Sequence, residues 1–507
     1  MVLSRQSPVD LSPLPALPTT EANRLPEMVE SARTAHHVWS RQRFEARVGA
    51  LRRACRAMLA DRARIIALVR REVGKVEADA LFSEALGPLE TLNHWVPMVQ
   101  KALIPAQVRL NPISFPKKSG WSQLVPRGVV GIIAPWNFPV SGLYRSCFPA
   151  LLMGNAILVK PSEYASESSR WFVDHLAAEL PPDLARPVIG GPEIGQALVR
   201  TNIDACAFTG SVPTGRRVQV ECAQRGVPCS VELGGKDFAV VLGDCALDRT
   251  IAGLTQWSLQ NAGQACGAIE VAAVDQAIAE PLVSGLAIAF RGLRLGEDLA
   301  PLANERQLEV VEAQVKDALQ KGAQLVCGGE RSGPGLGFLP TILDHCTEDM
   351  AVVRQETFGP VLPILRVPNA YEATKLVNRS SFGLTASVWS EDVERAKKLA
   401  DRLEVGVVTI NNHALTGAIP ELPWAGTKDS GPGIANSVHA LNTFGRPKAI
   451  LVDESKGPEP FWLPYDQDLV ELGHRLADAQ LGRILKAYRI PILLRRRAEA
   501  IKRHFGW

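Results

Sequence analysis

A cysteine and an upstream glutamate have the chemistry to catalyse acyl transfer. Cys266 ends the stretch at residues 261–266, and Glu232 follows a short run that is typical of a β-strand. A thiolate attacks a carbonyl carbon readily, and a nearby carboxylate can activate the water that later releases the acyl group from the thioester. The pair therefore indicates two-step acyl chemistry, although either residue alone is more often structural.

A glycine-containing loop follows the strand predicted at residues 205–208. Gly210 and Gly215 lie where this strand gives way to a predicted helix, whose free N–H groups and dipole favour an anionic ligand. Their spacing matches a Walker loop, but arginines occupy positions 216–217, where Lys and Ser/Thr are required. The loop therefore indicates a dinucleotide site rather than a triphosphatase, and a simple turn is the structural alternative.

Lys160 and Glu163 come just after the strand predicted at residues 156–159. Ligands of doubly wound sheets bind at this edge, and a glutamate there can accept hydrogen bonds from ribose hydroxyls. The same carboxylate would repel a 2′-phosphate, which favours NAD, with NADP as the alternative. A surface ion pair is the structural alternative for these two residues.

Composition predicts a soluble globular protein. The chain has 507 residues, 46% of them hydrophobic and 21% charged, and a net charge of only +3, which gives no general affinity for nucleic acid. Its nine cysteines are scattered without a Cys-x-x-Cys pair, so neither a metal centre nor a disulfide framework is predicted. No secretory signal or membrane-spanning run is recognised, and we expect a cytoplasmic protein.

Alternating strand-like and helical stretches predict an α/β fold with parallel sheets covered on both faces. The predicted divisions are an extended proline-rich arm at 1–25, a Rossmann-type cofactor domain at 26–107 and 125–233, a catalytic α/β domain at 234–435, strands for oligomerisation at 108–124 and 445–455, and a basic extension at 456–507.

Six stretches in this order resemble the NAD(P)-dependent aldehyde dehydrogenase superfamily. They are residues 135–139, 208–211, 232–236, 263–266, 356–360 and 423–431, and the resemblance covers about 29–448. It implies oxidation of an aldehyde to its carboxylic acid with NAD, through a thiohemiacetal and a thioester on Cys266. It also implies a homodimer or homotetramer.

The resemblance implies a role for each site residue. Cys266 attacks the aldehyde, Asn137 and the Cys266 N–H hold the oxyanion, and Glu232 activates water. Gln264 and Ala265 lie beside the substrate, Phe358 beside the nicotinamide and Glu356 on its ribose. The cofactor positions are Ile133, Pro135, Trp136, Lys160, Ser162, Glu163, Gly210, Ser211, Gly215, Leu233, Glu356 and Phe358.

Arg145 falls where the resemblance places a side chain facing the substrate tunnel, and where succinate-semialdehyde dehydrogenases grip a carboxylate with arginine. Arginine binds carboxylates in a bidentate manner, although a helix arginine more often forms a surface ion pair. The substrate is therefore expected to be an aliphatic aldehyde or a carboxylate-bearing semialdehyde. The alternative functions are a CoA-acylating dehydrogenase, which Glu232 disfavours, and a non-catalytic binding or scaffold relative.

The C-terminal extension interleaves basic and apolar residues. Ile484, Leu485, Ile490, Leu493, Leu494 and Phe505 alternate with eight basic residues, which are Arg483, Lys486, Arg489, Arg495, Arg496, Arg497, Lys502 and Arg503. Such a segment could lie on an anionic membrane surface, which would make the protein peripherally membrane-associated. The alternative is an arm that packs on a neighbouring subunit.

Overall fold

The computed structural model describes residues 2–112, 114–483 and 488–506. The chain divides into two compact units. The first comprises Met1–Ile104 and Leu124–Pro447, and the second comprises Pro105–Gln123 and Lys448–Trp507. The α/β class predicted from the sequence is confirmed.

The helices are α1 (Leu25–Trp39), α2 (Phe44–Ala60), α3 (Arg62–Val73), α4 (Glu77–Ala80), α5 (Gly87–Leu103), α6 (Ser141–Met153), α7 (Ser166–Ala177), α8 (Pro192–Val199), α9 (Val212–Gln224), α10 (Leu247–Leu259), α11 (Ala279–Arg291), α12 (Glu305–Gln320), α13 (Ala351–Arg354), α14 (Ala370–Arg379), α15 (Val393–Ala400), α16 (Ser437–Phe444), α17 (Gln467–Gln480) and α18 (Ile490–Phe505).

The strands are β1 (Val2–Leu3), β2 (Leu17–Pro18), β3 (Ala106–Val108), β4 (Lys118–Pro126), β5 (Val129–Ile133), β6 (Ala156–Lys160), β7 (Ala185–Pro187), β8 (Ala205–Thr209), β9 (Cys229–Glu232), β10 (Asp237–Val241), β11 (Ile269–Asp275), β12 (Gln324–Cys327), β13 (Thr341–Asp344), β14 (Val361–Val367), β15 (Phe382–Gly383), β16 (Thr385–Trp389), β17 (Val407–Ile410), β18 (Trp424–Ala425), β19 (Thr427–Lys428), β20 (Ile434–Ala435) and β21 (Gly445–Asp453).

The first large sheet has five parallel strands in the order β7-β6-β5-β8-β9. Its central strands β5 and β6 are buried along almost their whole length, as expected where helices cover both faces. The strand predicted at 187–189 lies slightly earlier in the chain, as β7. The carboxyl ends of β5, β6, β8 and β9 lead into the stretches that the sequence singled out for cofactor and catalysis.

The second large sheet has seven strands in the order β12-β13-β14-β11-β10-β16-β17, all parallel except for the antiparallel edge strand β12. Alternate residues of β10 enter different cores: Phe238 and Val240 pack in one cluster, and Ala239 and Val241 in another. This alternation follows from the two-residue period of a strand.

The N-terminal segment differs from the prediction of an unpacked arm. Leu14 and Leu17 are buried, and β1 pairs with β2. The guanidinium of Arg5 is buried against the carboxylate of Glu72, which also accepts hydrogen bonds from the backbone of α7. Because Arg5 is buried in an ion pair, this segment is part of the packed body despite its prolines.

The second unit contains a three-stranded sheet in the order β21-β4-β3 and the helices α17 and α18. Most of the strand pair predicted at 108–124 is β4, since β3 ends at residue 108 and β4 begins at residue 118. The helices α17 and α18 pack together and bury Leu472, Leu493 and Ile501.

Arg497 of α18 is fully buried, although the sequence placed it on the basic face of the C-terminal extension. Its guanidinium lies 2.5 Å from the carboxylate of Asp466 and donates to the carbonyls of Pro460 and Trp462. Arg497 and Leu493 are therefore not available to a lipid surface. Ile484, Leu485 and Lys486 of the same prediction lie outside the described residues. Within the described chain, no helix is long and apolar enough to cross a membrane.

Candidate active site

A cavity of about 1590 Å³ in the first unit brings most of the predicted site residues together. Its lining includes all three residues predicted to be catalytic, Arg145 and Ala265, and most of the predicted cofactor positions. These cofactor positions are Ile133, Pro135, Trp136, Lys160, Ser162, Glu163, Gly210, Ser211, Leu233, Glu356 and Phe358. Gly215 and Gln264 are the predicted residues that do not line it.

Cys266 is positioned by an unusual turn. Asn261, Ala262 and Gly263 have φ values of 51°, 56° and 72°, so three consecutive residues adopt the left-handed conformation. This conformation costs non-glycine residues about 1–2 kcal/mol each and persists only where the surroundings impose it. The carbonyl of Gly359 would lie 2.2 Å from a Cβ at position 263, which leaves room only for glycine.

The Sγ atom of Cys266 lies 3.7 Å from Oε1 of Glu232. Burial raises the pKa of the Cys266 thiol well above its usual range, and the negative charge of Glu232 raises it further. Burial also raises the pKa of the Glu232 carboxyl, which makes this carboxylate a stronger base than an exposed one. In both cases the positive charge of Arg145 acts in the opposite direction.

The two glycines after Leu233 allow neighbouring groups to approach the backbone. A Cβ at Gly234 would lie 2.2 Å from Oε1 of Glu356, and a Cβ at Gly235 would lie 2.7 Å from the carbonyl oxygen of Cys266. At Gly235 the short contact is with backbone and leaves no room for a side chain, whereas a side chain at position 234 would displace the carboxylate of Glu356. The two glycines therefore let the cysteine loop and Glu356 pack against this segment.

Asn137 is buried, and its side-chain amide Nδ2 donates a hydrogen bond to the carbonyl of Gln264 at 3.0 Å. The side chain of Asn261 donates to the backbone carbonyls of both Asn137 and Gln264, and so links the two loops. An amide has a second N–H. In the described chain, neither this second N–H of Asn137 nor the backbone N–H of Cys266 has a hydrogen-bond partner.

Arg145 projects from α6 into the cavity. Its Nη2 donates to the carbonyl of Gly417, and its guanidinium carbon lies 5.8 Å from the centre of the Trp424 ring. No carboxylate of the described residues forms an ion pair with it. The predicted structural alternative of a surface ion pair is therefore not observed.

Lys160 and Glu163 lie at the carboxyl end of β6, with Nζ of Lys160 3.6 Å from Oε2 of Glu163. Burial lowers the pKa of Lys160, although the negative charge of Glu163 acts to raise it. The hydroxyl of Ser162 accepts a hydrogen bond from the backbone of Tyr164 at 3.4 Å, which shapes the turn that carries Glu163. These residues form one edge of the cavity.

The loop at Gly210 and Ser211 precedes α9, a helix of 13 residues. The side chain of Ser211 does not cap this helix and instead contacts the hydroxyl of Thr214 at 3.1 Å. The first N–H groups of α9 thus lack a side-chain cap. Gly215, also a predicted cofactor position, does not line the cavity and is buried against Leu233, where a Cβ would lie 2.2 Å from Leu233 Cδ2.

Glu356 and Phe358 are held by a buried ion pair that sequence reasoning missed. Glu270 accepts hydrogen bonds from Lys236 Nζ at 2.7 Å, from the backbone of Thr357 at 2.8 Å and from the backbone of Phe358 at 2.7 Å. These bonds fix Phe358 in a left-handed conformation, with its ring edge-on to Trp136 at 5.5 Å. Burial raises the pKa of Glu356 to about 8.

Gln264, predicted to lie beside the substrate, does not line the cavity. Its side chain is completely buried, donates to the carbonyls of Asn261 and Pro301, and accepts from the backbone of Ala303. These bonds use both the donor and the acceptor ends of the amide. Gln264 therefore braces the loop before Cys266, and the adjacent Ala265 lines the cavity.

The residues of the cavity fit a dinucleotide. An uncapped helix N-terminus and the nearby Arg216 and Arg217 suit a pyrophosphate, and the carboxylates of Glu163 and Glu356 suit ribose hydroxyls. Cys266, just before β11 of the second large sheet, and the buried carboxylate of Glu232, at the end of β9 in the first, complete the cavity. Fold and site together are those of a nucleotide-dependent oxidoreductase.

Comparisons with known proteins identify the family. The model of the aldehyde dehydrogenase family matches residues 3–450. The 4,4'-diapolycopene aldehyde oxidase of Methylomonas sp is 33% identical over 465 residues, which cover 90% of this chain and 87% of the relative. A succinate-semialdehyde dehydrogenase (NADP(+)) of Deinococcus radiodurans is 31% identical over 448 residues, 87% of this chain and 92% of the relative.

Solved structures give the same result. An aldehyde dehydrogenase from Bacillus cereus in an NAD+ complex superposes with a TM-score of 0.86 at 27% identity, covering 90% of this chain and 94% of that one. An NADP-dependent glyceraldehyde-3-phosphate dehydrogenase from Bacillus halodurans C-125, complexed with NADP, gives a TM-score of 0.84 at 30% identity. The match covers 90% of this chain and 96% of that one.

The chain belongs to the aldehyde dehydrogenase family. The predicted family and enzyme class are thereby confirmed, and the predicted class of cofactor, a nicotinamide dinucleotide, is that of the family.

Proposed function

We propose that this enzyme oxidises an aldehyde to its carboxylic acid with NAD, through a thioester on Cys266 that is released by hydrolysis. The observation that carries the proposal is the 3.7 Å approach of the Cys266 thiol to the Glu232 carboxylate, in one cavity with Asn137 and the dinucleotide-fitting loops. The thiol supplies the nucleophile and the carboxylate supplies the base, as two-step acyl chemistry requires.

In the first half of the reaction, Glu232 is the nearest base to accept the thiol proton, and the thiolate attacks the aldehyde carbon. The second N–H of Asn137 and the N–H of Cys266 then stabilise the oxyanion, each donor contributing about 3 kcal/mol. A bound nicotinamide dinucleotide supplies the two-electron oxidation that turns the thiohemiacetal into a thioester.

In the second half, Glu232 takes a proton from water, and the resulting hydroxide attacks the thioester. Burial suits Glu232 to this step because its raised pKa strengthens the carboxylate as a base. A CoA-acylating enzyme would not require such a base, since CoA brings its own thiol. The buried Glu232 therefore favours hydrolysis over acyl transfer to CoA, and also disfavours a non-catalytic relative.

NAD is the proposed cofactor because Glu163 lines the cavity at the carboxyl end of β6, where a ribose binds in doubly wound sheets. A carboxylate there accepts hydrogen bonds from a 2′-hydroxyl and repels a 2′-phosphate. Replacing Glu163 by Gln removes the repulsion and should raise the kcat/KM ratio of NADP to NAD about tenfold. An unchanged ratio in steady-state assays would contradict this assignment.

The proposed substrate carries an apolar chain. Three large apolar side chains that line the cavity, Phe82, Leu86 and Leu415, are each more than a third exposed. Exposed apolar groups in a cavity favour an apolar ligand, and the Methylomonas relative is named as acting on 4,4'-diapolycopene aldehyde. An aliphatic aldehyde is thus the first substrate class to assay.

Arg145 supports a second candidate, a carboxylate-bearing semialdehyde. Its guanidinium lines the cavity and forms no ion pair with a described residue, and the Deinococcus relative is described as acting on succinate semialdehyde. A substrate carboxylate would give this cation a partner. Assays of Arg145→Ala against Arg145→Lys distinguish the candidates: selective loss on carboxylated aldehydes supports the clamp, and equal loss on aliphatic ones contradicts it.

Assembly as a homodimer or homotetramer is proposed from the second unit. Trp462, Leu463 and Tyr465 are at least half exposed there, while Arg489 and Arg496 pair with acidic residues of α17. Internal pairing lowers the attraction to anionic lipid, which favours contact with a neighbouring subunit over a membrane. A cytoplasmic location accords with this proposal. Light scattering and vesicle sedimentation distinguish the two partners.

The decisive experiment traps the acyl intermediate. In the Glu232→Gln variant, mixed with NAD and an aldehyde but no CoA, loss of the base should slow acylation and should slow hydrolysis further, by about 100-fold, so that one equivalent of NADH forms and the acyl enzyme persists. Mass spectrometry should place the acyl group on Cys266. Absence of the adduct, or dependence of acid formation on CoA, would sink the proposed reaction.

A further inference from the structure

Three cysteines from separate elements of the first large sheet come together in the structure. Cys206 lies in β8, Cys222 in α9 and Cys229 in β9, and their Sγ atoms all lie within 4.8 Å of one another. Cys206 and Cys222 are fully buried and Cys229 is half-buried. We call these three residues the thiol cluster. The reaction proposed above uses none of them.

Rigid elements hold the thiol cluster together. Cys206 and Cys229 are register partners of the parallel strands β8 and β9, so both side chains leave the sheet on the same face. Helix α9 connects these strands and buries Cys222 with Val218 and Gly215. Because two strands and a helix supply the sulfurs, the cluster does not depend on the conformation of a loop.

The ligand set selects the kind of ion. Among the described residues, no fourth cysteine, histidine or carboxylate joins the three sulfurs, whereas structural zinc requires four ligands. Three thiolates suit a soft, thiophilic ion. They also carry three negative charges into a buried site, which is costly unless the ion cancels them. A trivalent ion bound by three thiolates is neutral.

We propose that the thiol cluster binds a trivalent thiophilic ion, for which arsenic(III) is the probe. Arsenous acid, As(OH)₃, would react with three thiols to give As(SR)₃ and three waters. Three S–H and three As–O bonds break, three As–S bonds form, and each thiol proton leaves with a hydroxide. Arsenic stays in the trivalent state, so no oxidant or reductant is required.

The geometry needs only a small contraction. Three sulfurs bound at about 2.3 Å to one ion lie at most about 4 Å apart, so sulfurs that are all within 4.8 Å of one another need to approach by less than about 1 Å. Rotation of cysteine side chains supplies this movement. The half-buried Cys229 gives the ion a route to the two buried thiols. Bonds from β8 and β9 to one ion would also stabilise the folded state by mass action.

The test uses the full chain with Cys266→Ser, which removes the accessible thiol of the cavity. After incubation with arsenite and desalting, we expect one arsenic per chain by elemental mass spectrometry. Adding Cys206→Ser or Cys222→Ser should reduce retained arsenic at least tenfold. Adding Cys55→Ser or Cys346→Ser, which change buried cysteines outside the cluster, should leave it unchanged. Equal retention in all variants would overturn the proposal.

A second measurement avoids the risk that the cluster variants fail to fold. X-ray absorption at the arsenic edge, on the Cys266→Ser chain with the thiol cluster intact, should show a shell of three sulfurs and no oxygen. Two sulfurs with one oxygen, or no bound arsenic at all, would overturn the assignment. An increase in melting temperature with arsenite, absent from folded Cys222→Ser, would support it.

Discussion

Cys266 and the thiol cluster contain the same functional group in two different surroundings. Cys266 faces a cavity of about 1590 Å³, has a carboxylate 3.7 Å away and sits after a strained turn. Cys206, Cys222 and Cys229 lie within two strands and a helix, and the sulfur of each has the other two sulfurs as neighbours. The difference teaches that neighbouring groups and access decide what a cysteine can do. One site is arranged for attack on carbon and the other for holding a soft ion.

Removing the nucleophile should produce the largest effect. Cys266→Ser is expected to lower kcat/KM for aldehyde oxidation by about 10⁴-fold, because an alcohol next to this carboxylate is a far weaker nucleophile than a thiolate. Cys346→Ser, at a buried cysteine remote from the chemistry, should change it less than about threefold. Substantial activity in folded Cys266→Ser would show that Cys266 is not the nucleophile, and its contrast with the thiol cluster would then have no functional meaning.

Loss of the oxyanion donor should rank second. Asn137→Ala removes a side-chain amide that lines the same cavity as Cys266 and is proposed to hold the oxyanion, and each such donor contributes about 3 kcal/mol, or roughly 100-fold in kcat. We expect KM for the cofactor to change little. A variant that instead lost cofactor affinity with kcat intact would assign Asn137 to cofactor binding.

The pH dependence of alkylation should separate the two kinds of thiol. Burial and Glu232 hold the pKa of Cys266 well above its usual range, so at every pH below that pKa the thiolate fraction grows about tenfold for each unit by which the pH rises. Iodoacetamide labelling of Cys266 should therefore accelerate about tenfold per unit between about pH 6 and pH 8. The fully buried Cys206 and Cys222 should stay unlabelled while the protein is folded. A flat profile at Cys266 would show that the thiolate already dominates at pH 6.

The smallest expected effect concerns Arg145. Its positive charge lowers the pKa of Cys266 against burial and Glu232, so Arg145→Gln should raise that pKa. Labelling of Cys266 at neutral pH should then slow by about threefold, a modest change because water in the cavity screens the charge. Arg145→Lys keeps the charge and is the matched control. If labelling slowed equally in Arg145→Gln and Arg145→Lys, the cause would be the lost packing of the Arg145 guanidinium on Trp424 and not the lost charge.

Sequence reasoning selected residues that meet in one cavity and missed those that support them. Cys266, Glu232 and Asn137 line one cavity in the structure, since their types and motifs carry the chemistry directly. Gln264, two residues before the nucleophile, was predicted beside the substrate from the resemblance, yet its amide is bonded to the backbone of Pro301 and Ala303. Adjacency in the chain does not tell which way a side chain points.

The missed residues depend on contacts between distant parts of the chain. Glu270 and Lys236 fix the turn at Phe358, but nothing in either local sequence shows that the two are bonded. The thiol cluster requires the register of β8 against β9, which a single sequence does not specify. The parallel sheets themselves were predictable, because their buried strands are continuous apolar runs.

The left-handed turn at residues 261–263 sets a limit on engineering this enzyme. Common routes to a more heat-resistant protein relieve backbone strain and replace flexible residues with rigid ones. Here the strained backbone sets the position of the sulfur, and relaxing it would move the sulfur away from the carbonyl of a bound aldehyde. We therefore expect directed evolution for heat resistance to change many positions of the two large sheets but to leave these three residues unchanged.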